Sequence, residues 1–200
     1  MSKRLYLMRH GETLFNKLGR IQGACDSPLT DDGIRQAKMA KQYYKDNNII
    51  FSRCVTSTQE RASDTLELII ENEYYDRVKG IKEWNFGLYE GAMEYLNPPH
   101  KPTEESYGDF FLDYGGESVD QVEKRMTETL RNIMENLEGD NALIVSHGGA
   151  MYSFYLKWRN EQLERPKFNN CCILVYDFDK NNSSFELIKS IDVMNKYKEE

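Results

Sequence analysis

The stretch Leu5-Tyr6-Leu7-Met8-Arg9-His10-Gly11-Glu12-Thr13 is a short apolar run that stops at a cation, an imidazole and a glycine. Four consecutive apolar residues between Arg4 and Arg9 have the pattern of a strand buried in a sheet that is covered on both faces. In open α/β sheets ligands bind beyond the carboxyl ends of the strands, so Arg9 and His10 fall where a site is expected. Gly11 lets the backbone turn away from the strand there. A histidine beside an arginine suits phosphate better than acyl chemistry. The guanidinium fork neutralises phosphate oxygens while a neutral imidazole attacks phosphorus.

The rest of the chain sets limits on what this strand can serve. Two hundred residues, 40% hydrophobic and 30% charged, fit a single domain spanning 1–200. A net charge of −7 argues against nucleic acid and anionic membranes as partners, since both need a positive footprint. An anionic small molecule must then be drawn by a local positive pocket. Only four apolar residues follow the Met1-Ser2-Lys3-Arg4 start, too few for a signal peptide, and no run approaches the length of a membrane span. Cys25, Cys54, Cys171 and Cys172 contain no C-x-x-C spacing and read as reduced thiols of a cytoplasmic protein. In a strand, adjacent Cys171 and Cys172 would point to opposite sides. No heptad pattern speaks to oligomeric state.

Taken in order, residues 14–26 read as a polar loop able to reach back to the first site. Thr30 then caps a helix with Asp31 and Asp32 in its first turn, running to about Asp46. Residues 53–57 read as a second strand, and the helix after it carries Arg61 near its N-terminus. If the two strands are parallel, Arg61 shares an edge with His10. A third strand over 78–81 leads to Glu83 beside Trp84 and Phe86, aromatic surroundings that raise a carboxyl pKa as a general acid requires. Residues 92–114, with Pro98-Pro99-His100-Lys101-Pro102 and several aromatics, read as an insert over the site. Ser118 to Gln121 fits a capping box before a helix reaching about Leu137, whose core stripe is Val122, Met126, Leu130, Ile133, Met134 and Leu137. Residues 141–146 form the clearest buried strand, ending in His147-Gly148-Gly149 before a helix whose N-terminus offers free N–H groups. Strands over 171–178 and 185–191, joined by a hairpin turn, precede a charged tail over 195–200. Asn182 stands where a calcium loop needs glycine, so the turn is read as a plain hairpin.

Strand ends thus supply Arg9, His10, Arg61, Glu83 and His147. With Thr13, Asn16, Gln22-Gly23, Asp26, Pro28-Leu29-Thr30, Gly33, Ser57, Ala62, Thr65, Phe86-Gly87, Glu90-Gly91, Gly115-Gly116-Glu117-Ser118 and Ser146-His147-Gly148-Gly149, the chain resembles the histidine phosphatase superfamily, also called the phosphoglycerate mutase-like family, over nearly its whole length. The resemblance implies that His10 attacks the phosphoryl group and carries it as phosphohistidine. Arg9, Arg61 and His147 would hold the equatorial oxygens with Asn16 and the Gly148 N–H, and Gln22 and Gly23 would complete the substrate pocket. Glu83 would protonate the leaving alkoxide and later activate water. No metal and no cofactor is implied, because arginines and imidazole replace the cations, and the two arginines should keep His10 neutral. Residues and resemblance together predict an α/β fold: a three-layer α/β/α sandwich with a mostly parallel central sheet, helices on both faces, and the insert covering the site.

Departures select among the activities the resemblance implies. Cofactor-dependent phosphoglycerate mutases follow the catalytic glutamate with an arginine and later carry a tyrosine and an arginine pair that grip a second phosphate. Here Trp84 and Phe86 take the first two positions, and residues 90–117 contain no arginine. Asp64 stands where phosphatases commonly carry glutamine, and His100 and Lys101 remain able to meet a second acidic group. The reading is a phosphomonoester hydrolase acting on a small molecule. The alternatives are a cofactor-dependent mutase and a non-catalytic phosphate-dependent binding protein, and for the latter a retained acid would be superfluous.

Overall fold

Strand β1 (Lys3–Arg9) sends alternate side chains into two separate cores. Leu5 and Leu7 join one, Tyr6 and Met8 the other, and all four are buried, as a strand covered on both faces requires. The computed structural model describes residues 3–71, 73–99 and 104–196. Within them β1 is followed by α1 (Leu14–Lys17), α2 (Asp31–Asp46), β2 (Arg53–Ser57), α3 (Glu60–Ile70), β3 (Asp76–Val78), α4 (Val119–Glu135), β4 (Asn141–Ser146), α5 (Gly148–Trp158), β5 (Ile173–Asp179), β6 (Ser184–Ile191) and α6 (Val193–Lys196). The sheet order is β3-β2-β4-β1-β5-β6. The first four of these are mutually parallel, and β5 runs antiparallel to both β1 and β6. Helices α4 and α5 cover one face, packing Val122, Met126, Leu130 and Phe154 on Leu5, Leu7 and Ile144. Helices α2 and α3 cover the other, packing Ala37, Tyr44 and Leu66 on Tyr6, Met8 and Val145. This is the expected three-layer α/β/α arrangement.

Local chemistry fixes the helix starts. The Thr30 hydroxyl accepts from the Gly33 N–H at 3.1 Å to open α2, with Asp31 and Asp32 complementing the helix dipole. Ser118 and Gln121 close the predicted capping box on α4. The hairpin between β5 and β6 forms with the Asp179 carboxylate accepting from Asn181 N and Asn182 Nδ2.

Four expectations are corrected. The third strand lies at Asp76–Val78, and Lys79–Ile81 is a 3-10 turn. The chain leaves the sheet because Gly80 passes against Thr129 of α4, where a side chain would collide, and Ile81 buries beneath that helix. The loop over 14–26 begins with the short helix α1, capped by Thr13 and Asn16. Cys171 and Cys172 precede β5 instead of lying in it, and Cys171 has φ +56. The chain turns there so that the Cys171 N–H reaches the His10 carbonyl, and the two thiols still enter opposite cores. Of the expected tail, Asn195 and Lys196 close α6, while 197–200 lie outside the described residues, as do His100 and Lys101. No described helix is long and apolar enough to cross a membrane.

Leu130 lies at the centre of the α4 stripe with no exposed surface. Leu130→Ala should lower unfolding stability by about 2–5 kcal/mol through the lost burial and the cavity left behind. Urea denaturation that shows less than about 1 kcal/mol of loss would place Leu130 outside a close-packed core.

Candidate active site

Register decides which side chains meet. Pairing of β1 with β4 sets Arg9 opposite Ser146, so the next residues, His10 and His147, leave the sheet side by side with ring centroids 5.2 Å apart. Strand β2 runs parallel on the other side of β4 and ends at Ser57, which brings Arg61 of α3 to the same edge. A cleft of about 460 Å³ opens there, lined in part by Arg9, His10, Asn16, Gln22, Glu83 and Gly148.

His10 is 3% exposed. Its Nδ1 lies 2.7 Å from the Gly11 carbonyl, an acceptor, so that nitrogen carries the proton. Nε2 is then the free lone pair, and the Arg61 Nε–H points at it from 3.3 Å. His10 is held well below the usual imidazole pKa of 6.5, first by burial and then by the charges of Arg61 and Arg9. The arginines do keep it neutral, but they act second to desolvation.

His147 is fully buried and likewise held well below 6.5, again by burial first, then by Arg61, His10, Arg125 and Arg9. Its Nε2 lies 2.7 Å from the Ser57 hydroxyl, which already accepts from the Gln59 N–H. The Gln59 N–H cannot take the hydroxyl proton, so among the described residues Nε2 is the acceptor Ser57 donates to, which leaves His147 Nδ1, buried and without a partner, as the N–H donor. Arg9 donates one N–H to the Phe168 carbonyl at 2.6 Å, and its Nε is also buried without a partner. The Asn16 carboxamide oxygen accepts from Thr13 N and Asn170 Nδ2, which leaves its NH₂ as the group that Asn16 can offer to the cleft it lines.

Arg61 and Gly23 are bonded chiefly to other groups of the protein. The buried guanidinium donates to Cys25 O and Asp26 Oδ1 through one nitrogen and to Gln22 O and Gly23 O through another. With the Nε–H on His10, all five donors have acceptors within the protein. Gly23 carries the loop: its carbonyl takes Arg61 and Gln59, and its N–H donates to Glu90. The Gln22 side chain faces the cleft while sitting between the Thr13 and Ser27 hydroxyls.

The Glu83 carboxyl is held by backbone N–H groups. Oε1 accepts from Trp84 N at 2.8 Å and Ala150 N at 2.7 Å, and Oε2 from Gly149 N at 3.0 Å. Two of the free N–H groups at the start of α5 are thus taken by the glutamate. A β-carbon at Gly149 would stand 2.9 Å from Oε1, so glycine is what admits the carboxyl there. Three of its roughly four acceptor directions are filled by backbone N–H groups.

Three positioning residues carry no local sequence signal. Gln59 joins the Glu83 N–H to the Gly23 carbonyl. Arg125 grips Glu117 with two nitrogens and donates to the carbonyls of Gly80, Lys82 and Glu83. Asn170 bonds the His10 carbonyl. Among the described residues no cluster of three or more His, Cys, Asp or Glu side chains could hold a metal ion.

Residues 5–190 match the sequence pattern of the histidine phosphatase superfamily (branch 1). The chain belongs to that superfamily. Among its relatives are the metal-independent phosphoserine phosphatase of Arabidopsis thaliana, 31% identical over 76% of this chain and 67% of that protein, and "Probable phosphoglycerate mutase GpmB" of Yersinia pestis (strain Pestoides F), 30% identical over 88% and 86%. Among solved structures, a phosphoserine phosphatase mutant from Entamoeba histolytica in complex with phosphoserine superposes with a TM-score of 0.77 at 28% identity, over 96% of this chain and 98% of that one.

The two neutral imidazoles of this superfamily member make its stability depend on pH. Their folded pKa values lie below 6.5, so below that pH the unfolded chain binds more protons and stability is lost as pH falls, by up to about 1.4 kcal/mol per pH unit and group. Urea titrations at pH 7.5 and 5.5 should show a shallower loss in His10→Gln and His147→Gln than in the wild type. Parallel slopes would mean that the imidazoles are not held neutral.

Proposed function

We propose that the chain is a metal-independent phosphomonoester hydrolase working through a phosphohistidine on His10. The observation that carries this reading is the pair of buried, unpartnered donors, Arg9 Nε and His147 Nδ1, at the same sheet edge as His10, whose Nε2 lone pair accepts from the Arg61 Nε–H. Unsatisfied buried donors are costly, and a phosphoryl group offers the oxygens they lack. The Asn16 NH₂ and the Gly148 N–H at the start of α5 add two neutral donors.

In the first half-reaction His10 Nε2 forms a bond to phosphorus as the ester P–O bond breaks. The Arg61 Nε–H, released from Nε2, turns to an equatorial oxygen, and protonated Glu83 delivers its proton to the departing alkoxide. The Gly11 carbonyl meanwhile stabilises the charge that the imidazole acquires. In the second half, ionised Glu83 takes a proton from water, the resulting hydroxide attacks phosphorus, and the P–N bond breaks to restore His10 and release phosphate. Positioning and charge neutralisation supply the rate, as phosphoryl transfer requires.

Hydrolysis is favoured over mutase chemistry by the lining of the cleft. Arg9 is the one permanently charged cation among its described lining residues, and Glu94 faces the same space. A second phosphate would therefore meet a carboxylate. Retention of the acid Glu83 in a cleft with His10 equally disfavours a pure binding role. Glu94, Asn97 and Tyr107 of the 92–114 segment line the cleft, which supports reading that segment as a cover within one domain.

His10→Ala should abolish both turnover and trapping of acid-labile phosphate on the protein, and labelling of that variant to wild-type levels would refute the nucleophile. Glu83→Gln should slow alkyl phosphates about 10²–10⁴-fold and 4-nitrophenyl phosphate far less, since nitrophenolate leaves without a proton. Equal losses would remove Glu83 from the acid role. Phosphate release exceeding conversion of 3-phosphoglycerate to 2-phosphoglycerate, with bisphosphate primer present, is expected; the reverse makes the chain a mutase.

A further inference from the structure

Beyond the phosphate donors, the cleft wall carries Phe86, Glu94, Asn97, Tyr107 and Phe168. Glu94 is fixed in place by its backbone, which donates to the Gly19 carbonyl at 2.8 Å beside the Arg20–Met93 bridge. Among the described residues no cation is paired with its carboxylate. Tyr107 lies close enough to feel that charge: burial, and then Glu94, push its phenol pKa up. The Asn97 carboxamide oxygen is buried with no hydrogen-bond partner. This part of the cleft therefore offers one full negative charge, one unfilled acceptor and three aromatic rings.

That set matches an ammonium group. Ammonium has three donors and no acceptor, so it can meet the Glu94 carboxylate and the Asn97 oxygen together, and aromatic rings attract it electrostatically. A carboxylate in the same place would face Glu94 with no positive partner among the described lining residues, because Arg9 is committed to the phosphate. We infer that this end of the cleft binds an ammonium group, that the substrates are phosphomonoesters of amino alcohols, and that Glu94 is the specificity-determining charge. The inference rests on the hydrolase reading and names the substrate class of the same site.

The test compares O-phosphoethanolamine with 2-phosphoglycolate, near-isosteric esters that end in opposite charges, with 4-nitrophenyl phosphate as the reference substrate. Wild-type kcat/KM should favour phosphoethanolamine by about tenfold or more. Glu94→Gln should shrink that ratio and Glu94→Lys invert it; Glu94 is exposed, so both variants should fold. Equal rates on the two esters, or a ratio that Glu94→Lys leaves unchanged, overturn the inference while turnover of 4-nitrophenyl phosphate keeps the hydrolase reading. No turnover of any of the three overturns both.

Discussion

Burying the Arg61 guanidinium is the constraint from which the site follows. The side chain is completely excluded from solvent, and an interior guanidinium is tolerated only when its charge is paired and its donors are filled. Asp26 supplies the charge, and the carbonyls of Gln22, Gly23 and Cys25 supply most of the acceptors. The loop over 22–26 is shaped by that demand. Once it wraps Arg61, its successive N–H groups at Gly23, Ala24 and Cys25 point at Glu90, whose carboxylate ties the loop to the segment just after Glu83. The remaining Arg61 donor, Nε–H, is directed at His10 Nε2. One buried cation thus sets the loop, the wall of the cleft and the orientation of His10.

The second organising feature is a division of labour at the start of α5. A helix N-terminus offers donors to any anion, and on sequence grounds those donors are expected to serve the ligand. In the fold Glu83 occupies the Gly149 and Ala150 N–H groups, leaving Gly148 nearest Arg9 and the cleft. The carboxyl and a phosphate would therefore share one helix end, each held by different N–H groups of the same turn. That sharing explains why two glycines follow His147: one admits the arginine, the other the carboxyl.

Much of this was legible in the chain, for identifiable reasons. Strands β1 and β4 announce themselves as continuous apolar runs, and each ends in a histidine followed by glycine, so both imidazoles can be placed at one sheet edge. The caps at Thr30 and Ser118 and the stripe on α4 are local patterns that local physics enforces. Gln59, Arg125 and Asn170 were not legible, because they act on backbone atoms of distant segments. Nothing in the spacing of Arg125 within a helix says that its outer face will hold the carbonyls of 80, 82 and 83. The strand over 78–81 failed for a similar reason. Val78 does close β3, but Ile81 buries beneath α4 after the chain has left the sheet, and alternation cannot distinguish the two kinds of burial.

The electrostatics reconcile an acidic chain with an anionic ligand. A net charge of −7 gives no long-range attraction for phosphate, so the pull must come from groups inside the cleft, where burial weakens screening. Those groups also have to leave His10 unprotonated, since an imidazolium has no lone pair to offer phosphorus. Desolvation is the largest cause, ahead of Arg61 and Arg9, and it costs nothing in ligand-binding donors. Had the neutrality of His10 depended on the arginines alone, neutralising them with a phosphate would have invited a proton onto Nε2 at the moment of attack. Because burial itself disfavours the charge, the proposed nucleophile would keep its lone pair even with the arginines engaged by a phosphate.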